Sequence, residues 1–288
     1  MNAPVKLRQA YADMPTYYAA TANPARERPV LRGDHRCDVC VIGAGFSGMS
    51  AALELAERGY DVIVVEARRV GWGASGRNGG QLVNGYSRSL SEVRKHYGEQ
   101  AERDFGAMAL EGAGIIRERV KKYNIECDLR DGNAIVAMHQ AHMRFLRERV
   151  AEWRRHGHDS VRLLEKEEVK SAVNSERYVG GYLDPLGGHM HSLNYVLGEA
   201  AAFENLGGKI FENSRVEHVD RSDKPFVQSD GGRVFAEKLL ICGNAYLGDE
   251  VGDLSSRVLS VSSQIIGTEV LGEDVVNDLI PANCAVED

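Results

Sequence analysis

A glycine motif at Gly43-Ala44-Gly45-Phe46-Ser47-Gly48 constrains the fold of this chain more than any other feature. The motif fits the pattern G-x-G-x-x-G. It comes after an apolar run, residues 37–42, that predicts a buried strand, and it opens a helical pattern over residues 46–58. A second apolar run, residues 61–66, predicts a parallel strand that ends in Glu66. This order of strand, glycine turn, helix, strand and acid predicts a nucleotide-binding α/β unit.

The glycines of the motif each have a physical role in such a unit. Gly43 permits a tight turn, Gly45 lets the backbone approach a pyrophosphate, and Gly48 lets helix and strand pack closely. The helix N-terminus offers N–H groups and about half a positive charge to phosphate. Glu66 is placed to accept the hydroxyls of the adenosine ribose. These features predict a dinucleotide site, and the alternative is a structural turn with chance glycines.

The identity of the dinucleotide depends on the segment after the second strand. Glu66 would repel the 2′-phosphate of NADP, although Arg68 and Arg69 weaken that argument. NAD and FAD need the same first unit, but a glycine-dense loop over residues 71–81 takes the place of the crossover helix expected for NAD. Ser75 and Arg77 are predicted to meet phosphate or ribitol oxygens, and residues 78–81 to reach the flavin edge. The loop therefore favours FAD, with a flexible surface loop as the alternative.

The rest of the chain predicts an interrupted nucleotide-binding domain. Helical patterns cover residues 91–123, 141–156 and 165–173, and Ser192 caps a helix that ends at Gly207. Predicted strands cover residues 125–138, 178–183, 209–211, 215–220, 226–229, 233–235, 238–242 and 260–271. The predicted fold class is mixed α/β, a Rossmann-like FAD/NAD(P)-binding domain with an inserted mixed-sheet substrate domain. The expected boundaries are an arm over 1–35, an FAD-binding domain over 36–95 and 175–255, and a substrate domain over 96–174 and 256–288.

Composition excludes some classes of function. The 288 residues are 43% hydrophobic and carry a net charge of −7, which argues against a nucleic-acid surface. The first 29 residues are polar and interrupted by prolines, without the apolar region of a signal peptide. No stretch approaches the roughly 20 apolar residues that span a bilayer. A cytoplasmic location without a membrane span is therefore expected.

The cysteines and histidines do not predict a redox or metal site. Cys37 and Cys40 lie three apart in a predicted strand, where side chains alternate, so they are expected to point to opposite faces as small buried residues. His156 and His158, and likewise His189 and His191, form pairs without a third ligand at a suggestive spacing. No metal is predicted.

Four further stretches, residues 17–23, 73–84, 187–191 and 243–248, together with the motifs above, carry a resemblance to a known family. The chain resembles the D-amino-acid-oxidase-like FAD-dependent oxidoreductases, and within that family the members that oxidise gamma-glutamylputrescine. The resemblance implies FAD as the cofactor. The predicted cofactor-binding residues are Gly43, Ala44, Gly45, Phe46, Ser47, Gly48, Glu66, Ala67, Ala74, Ser75, Arg77, Asn78, Gly79, Gly80, Gln81, Val216, Gly243 and Asn244.

The resemblance also implies an activity. A neutral amine, such as gamma-glutamylputrescine in putrescine breakdown, would pass a hydride to the flavin and give an imine that water hydrolyses. Oxygen would then take the electrons and give hydrogen peroxide. No side-chain base is required for this reaction, so no catalytic residue is predicted. Family members continue past Asp288, so this chain is expected to be part of a longer protein. The alternatives are a dehydrogenase with another electron acceptor and an inactive fragment that binds FAD weakly.

Overall fold

The computed structural model describes residues 16–248 and 251–288. In chain order its helices are α1 Tyr17–Thr21, α2 Phe46–Glu57, α3 Leu90–Lys122, α4 Gln140–Arg155, α5 Lys166–Val169, α6 Ser192–Asn205, α7 Gly252–Ser255 and α8 Glu273–Leu279. Its strands are β1 Gly33–Ile42, β2 Val62–Val65, β3 Gln81–Leu82, β4 Arg130–Ala137, β5 Arg162–Glu165, β6 Gly180–His189, β7 Lys209–Phe211, β8 His218–Asp220, β9 Phe226–Gln228, β10 Gly232–Ile241 and β11 Ala285–Glu287. Single 3-10 turns lie at Ala74–Gly76 and Asn244–Tyr246. None of the helices in these described parts combines the length and hydropathy needed to cross a bilayer.

The chain divides into two compact units whose boundaries differ from those expected. The first unit extends to Gly79 and resumes over residues 192–265, and the second comprises residues 80–191 and 266–288. Strands β3 and β6 were expected in the FAD-binding domain, but β6 pairs with β4, and β3 pairs with β6. Hydrogen-bonded strands of one sheet belong to one packed body, so both strands lie in the second unit.

The first unit is built on a six-stranded sheet in the order β7-β2-β1-β10-β9-β8. Strands β7, β2, β1 and β10 run parallel, and β9 and β8 continue the sheet antiparallel. All four residues of β2 are buried, as a parallel strand covered on both faces requires. Residues 233–235 and 238–242 were expected as two strands, but β10 is continuous because it pairs with β1 from Gly33 to Ile42.

The two cysteines of β1 correct one prediction. Two successive N–H groups, those of Asp38 and Val39, donate to the single carbonyl of Asp61, at 2.9 and 3.1 Å. These bonds lie where the pairing of β1 with β2 begins, at Val39. Cys37 and Cys40 both pack against the same core cluster, contrary to the expectation of opposite faces. Burial raises the pKa of the Cys37 thiol to about 12 and also raises the pKa of Cys40, so neither thiol is a ready nucleophile.

The second unit holds a sheet in the order β11-β4-β6-β3, with β5 also paired to β6. The register of β4 against β6 shifts between Asp131 and Asn133, inside the strand expected over residues 125–138. One face of the sheet packs against helix α4 through Met143, Leu146 and Val150, all buried. Helix α3 contains a break at Gly98, whose φ of 89° lies outside the helical region.

The predicted strand over residues 260–271 is wrong. These residues adopt neither helix nor strand, and all of them are exposed. The alternation of apolar residues, such as Val261, Ile266 and Val270, is a local signal. A strand also needs a neighbour that pairs with its N–H and C=O groups. Among the described residues no strand takes that place.

A buried polar network around Asp184 supports the second unit. Its Oδ1 lies 2.7 Å from His158 Nε2, and its Oδ2 accepts from Asn84 Nδ2 at 2.9 Å. The Leu186 N–H also donates to Oδ1, at 2.9 Å. Burial alone raises the pKa of this carboxyl, but the hydrogen bonds with His158 and Asn84 hold the pKa below its ordinary value.

Replacing Asp184 with alanine is expected to lower the free energy of unfolding by about 3 kcal/mol at neutral pH, because it leaves buried partners unpaired. Because the pKa of Asp184 is lowered in the folded protein, its ionisation adds stability that is fully present at pH values above the ordinary carboxyl pKa. This stability is lost as the pH falls through the pKa of the folded protein. The deficit of Asp184→Ala should therefore shrink in acid. Urea unfolding at several pH values measures both effects. The exposed Asp159→Ala is the matched control, with less than about 0.5 kcal/mol expected at any pH.

Candidate cofactor site

A cavity of about 180 Å³ lies in the first unit at the carboxyl ends of three parallel strands. Ile42 ends β1, Val65 ends β2, and Cys242 comes directly after β10, and all three line the cavity. In open α/β sheets, this edge is where ligands bind. Nine predicted cofactor residues line the same cavity: Gly43, Gly45, Glu66, Ala67, Ala74, Ser75, Val216, Gly243 and Asn244.

The glycine turn between β1 and α2 leaves no room for a side chain at any of its three glycines. Gly43 has a φ of +102°, and a Cβ there would lie 2.8 Å from the carbonyl oxygen of Cys242. A Cβ on Gly48 would overlap the carbonyl oxygen of Gly43. A Cβ on Gly45 would lie 2.8 Å from Ser75 Oγ. The turn therefore presents bare backbone at the cavity, as close approach of a pyrophosphate requires.

The N-terminus of helix α2 supplies hydrogen-bond donors at this turn. Gly45 is the N-cap residue and has no side chain that could cap the helix. Ser75 Oγ accepts from the N–H of Phe46 at 2.9 Å, so the loop after β2 is tied to the helix start. The positive end of the helix dipole lies at the same place. The arrangement suits an anionic group of a ligand.

Glu66 places a carboxylate beside the turn. Its Oε2 accepts from the N–H of Ala44 and its Oε1 from the N–H of Arg68, each at 2.8 Å. Burial raises the pKa of Glu66, and the charge of Glu212 acts in the same direction, while the hydrogen bonds from Ala44 and Arg68 oppose the rise. These bonds hold the carboxylate at the end of β2, where it lines the cavity.

An aromatic and cationic cluster on the cavity wall was not predicted. Trp72 and Tyr246 meet edge to face with ring centroids 5.5 Å apart. The guanidinium of Arg68 lies 5.7 Å from the Trp72 ring centroid. Trp72 was not among the predicted cofactor residues, although it lies in the glycine loop that was expected to contact the flavin. The other lining residues that were not predicted are Ile42, Val65, Gly73, Arg215, Val219, Cys242, Leu247, Gly248 and Val251.

Nine predicted residues lie outside the cavity lining, and four of them either secure the loop or come after it. Arg77 donates from Nε to the carbonyl of Trp72 at 2.7 Å and packs over its ring at 4.8 Å. Asn78 donates to the carbonyls of Ala74 and Ser75, at 3.1 and 2.9 Å. Gly80 and Gln81 lie in the second unit, where β3 pairs with β6. The remaining predicted residues outside the lining are Ala44, Phe46, Ser47, Gly48 and Gly79.

Comparison with known proteins agrees with this fold. Residues 38–287 match the FAD dependent oxidoreductase family, also called DAO, and the chain belongs to that family of enzymes.

The chain is 45% identical to gamma-glutamylputrescine oxidoreductase of Escherichia coli over 95% of its own length and 64% of the relative's. It is 39% identical to the probable oxidoreductase OrdL of Haemophilus influenzae, over 95% of this chain and 65% of that one. Glycine oxidase of Geobacillus kaustophilus superposes with a TM-score of 0.62 at 25% identity, covering 76% of this chain and 59% of the other. The family predicted from sequence and the likeness to gamma-glutamylputrescine oxidoreductase are thus confirmed. The chain spans just under two thirds of the length of these curated relatives.

Proposed function

We propose that the cavity of the first unit binds FAD through its adenosine diphosphate half. The observation that carries this proposal is the convergence of bare backbone, a helix N-terminus and the Glu66 carboxylate on one cavity. The Gly43–Gly48 turn and helix α2 fit a pyrophosphate, and Glu66 fits the two hydroxyls of a ribose. A carboxylate at this place disfavours a 2′-phosphate, and membership of an FAD-dependent family favours FAD over NAD.

The proposed activity is oxidation of a C–N bond in a small amine of the gamma-glutamylputrescine type, with oxygen as the acceptor and hydrogen peroxide as a product. The substrate class rests on the likeness to gamma-glutamylputrescine oxidoreductase. FAD, when bound, supplies the electron-accepting chemistry. The residues of the first unit bind and orient it.

The chain is expected to purify yellow, or to become yellow with added FAD, because the cavity holds the cofactor. An absorbance spectrum before and after heat release of bound ligand measures this directly. A folded chain that stays colourless with excess FAD would contradict the proposed site. FAD-loaded protein is then incubated with gamma-glutamylputrescine and assayed for peroxide and for reduction of an artificial dye. Dye reduction without peroxide would point to a dehydrogenase and contradict oxygen as the acceptor.

A further inference from the structure

Arg28 lies in the segment before β1, and its charged side chain is almost wholly buried, with 3% exposed. It donates from Nε and Nη2 to the two carboxylate oxygens of Glu204, at 2.9 and 3.0 Å. It also donates from Nη1 to Glu212 Oε1 at 3.2 Å. Burial of such charges is unfavourable unless each is paired in good geometry. The cluster therefore fixes where the Glu212 carboxylate lies.

Glu212 also forms a hydrogen bond with the loop that lines the cavity. The same oxygen, Oε1, accepts from the buried N–H of Val70 at 2.9 Å. Val70 lies between Arg68 and Trp72, and both of these residues line the cavity. An acceptor shared by a guanidinium and a backbone N–H is held at a single place, so Arg28 acts on the loop through Glu212.

Backbone bonds tie the segment around Arg28 to the residues after β7. The N–H of Glu212 donates to the carbonyl of Pro29 at 3.1 Å. The N–H of Leu31 donates to Ser214 Oγ at 2.8 Å. Leu31 is fully buried in the core of the first unit. The segment from Arg28 to Leu31 is therefore a fixed strap on one side of residues 211–214.

Residues 211–214 also form backbone hydrogen bonds with residues of the cofactor site. The N–H of Glu66 donates to the carbonyl of Phe211 at 2.8 Å, and the N–H of Ser214 donates to the carbonyl of Glu66 at 2.9 Å. The N–H of Asn213 donates to the carbonyl of Arg68 at 2.8 Å. Residues 211–214 thus connect the strap to the two cavity residues Glu66 and Arg68.

We infer that Arg28 is a positioning residue for the cofactor site, acting through Glu212 to hold residues 66–70 in the geometry that binds FAD. This inference rests on the proposed function. Arg28 is not among the cavity-lining residues, and its effect on affinity comes from the geometry of Glu66 and Arg68. Such an effect differs from general support of the fold because it changes the affinity of protein that is already folded.

The test is FAD titration of the wild-type chain and its Arg28→Met variant, by quenching of flavin fluorescence, at a temperature where circular dichroism finds both folded. The variant is expected to bind FAD about tenfold more weakly. Arg233→Met is the matched control, because it removes an exposed bidentate pair with Asp34 in the same unit and should leave affinity unchanged. A lower melting temperature with wild-type affinity in the folded Arg28→Met variant would show a merely structural role and overturn the inference.

Hydrogen exchange on the wild-type chain provides a test that needs no variant. Coupling between two sites is reciprocal, so FAD should slow exchange of the Leu31 amide in the strap as well as the Val70 amide in the loop. Protection of Val70 without any change at Leu31 would overturn the inference while leaving the FAD site in place. A wild-type chain that takes up no FAD would instead overturn the proposed function and, with it, the role of Arg28.

Discussion

Replacing Gly48 with alanine is expected to lower the free energy of unfolding by about 3 kcal/mol and to abolish FAD binding. The added Cβ would overlap the carbonyl oxygen of Gly43 and lie 3.3 Å from Val41 Cγ1. Neither the backbone of the turn nor the buried strand can move away without losing other contacts, so the overlap becomes strain. Urea unfolding and FAD titration of the purified variant measure the two effects.

The control for Gly48 is the same substitution at Gly112. This glycine lies inside helix α3, and a Cβ there would meet nothing within 4 Å. Alanine should stabilise the helix at this position by about 0.5–1 kcal/mol, because it reduces the backbone freedom lost on folding. Opposite signs at the two positions are therefore expected. Equal effects would mean that helix α2 does not approach the turn as closely as the structure places it.

Replacing Glu66 with glutamine is expected to weaken FAD binding by about 100-fold, or about 2.7 kcal/mol, because the ribose loses a charged acceptor. Glutamine keeps the size of the side chain but has a single acceptor oxygen, so one of the bonds from the Ala44 and Arg68 N–H groups is lost together with the charge. Glu54→Gln on helix α2 is the control, since that carboxylate is exposed and pairs with Arg58. Wild-type affinity in the Glu66→Gln variant would remove Glu66 from the site.

The pKa of Glu66 adds a pH dependence to the same experiment. Burial raises this pKa, so the carboxyl becomes protonated at a higher pH than an ordinary glutamate. Wild-type affinity for FAD should therefore fall on acidification, beginning above the ordinary glutamate range. The Glu66→Gln variant has no carboxyl at this position, and its affinity should change less over that range. Parallel pH profiles for the two proteins would contradict the assignment.

The glycine turn and Glu66 could be predicted from sequence because their geometry is local. A strand, a turn, a helix and a second strand succeed one another within residues 37–66, and their order alone brings Glu66 beside Gly43. Tyr246 and Arg215 were not predicted as site residues because strand pairing between distant segments brings them to the cavity, whereas Trp72 lies in the predicted glycine loop itself.

Two errors have a similar physical origin. The alternation rule placed Cys37 and Cys40 on opposite faces, but both pack against one core cluster built from several distant strands. The apolar pattern of residues 260–271 predicted a strand, yet a strand exists only where a neighbour accepts its hydrogen bonds. In both places the outcome depends on a partner elsewhere in the chain, and a local pattern contains no information about that partner.

The pairing of β1 with β10 has a consequence for how the protein is made. Paired residues in these strands, such as Asp34 and Arg233, are 199 positions apart. During synthesis, β1 emerges from the ribosome long before its neighbour, at about 5–20 residues per second. Residues 80–191, the larger part of the second unit, emerge in between. The edge of β1 that pairs with β10 therefore stays without its partner for roughly 10–40 s, an interval in which its N–H and C=O groups are open to pairing with other chains.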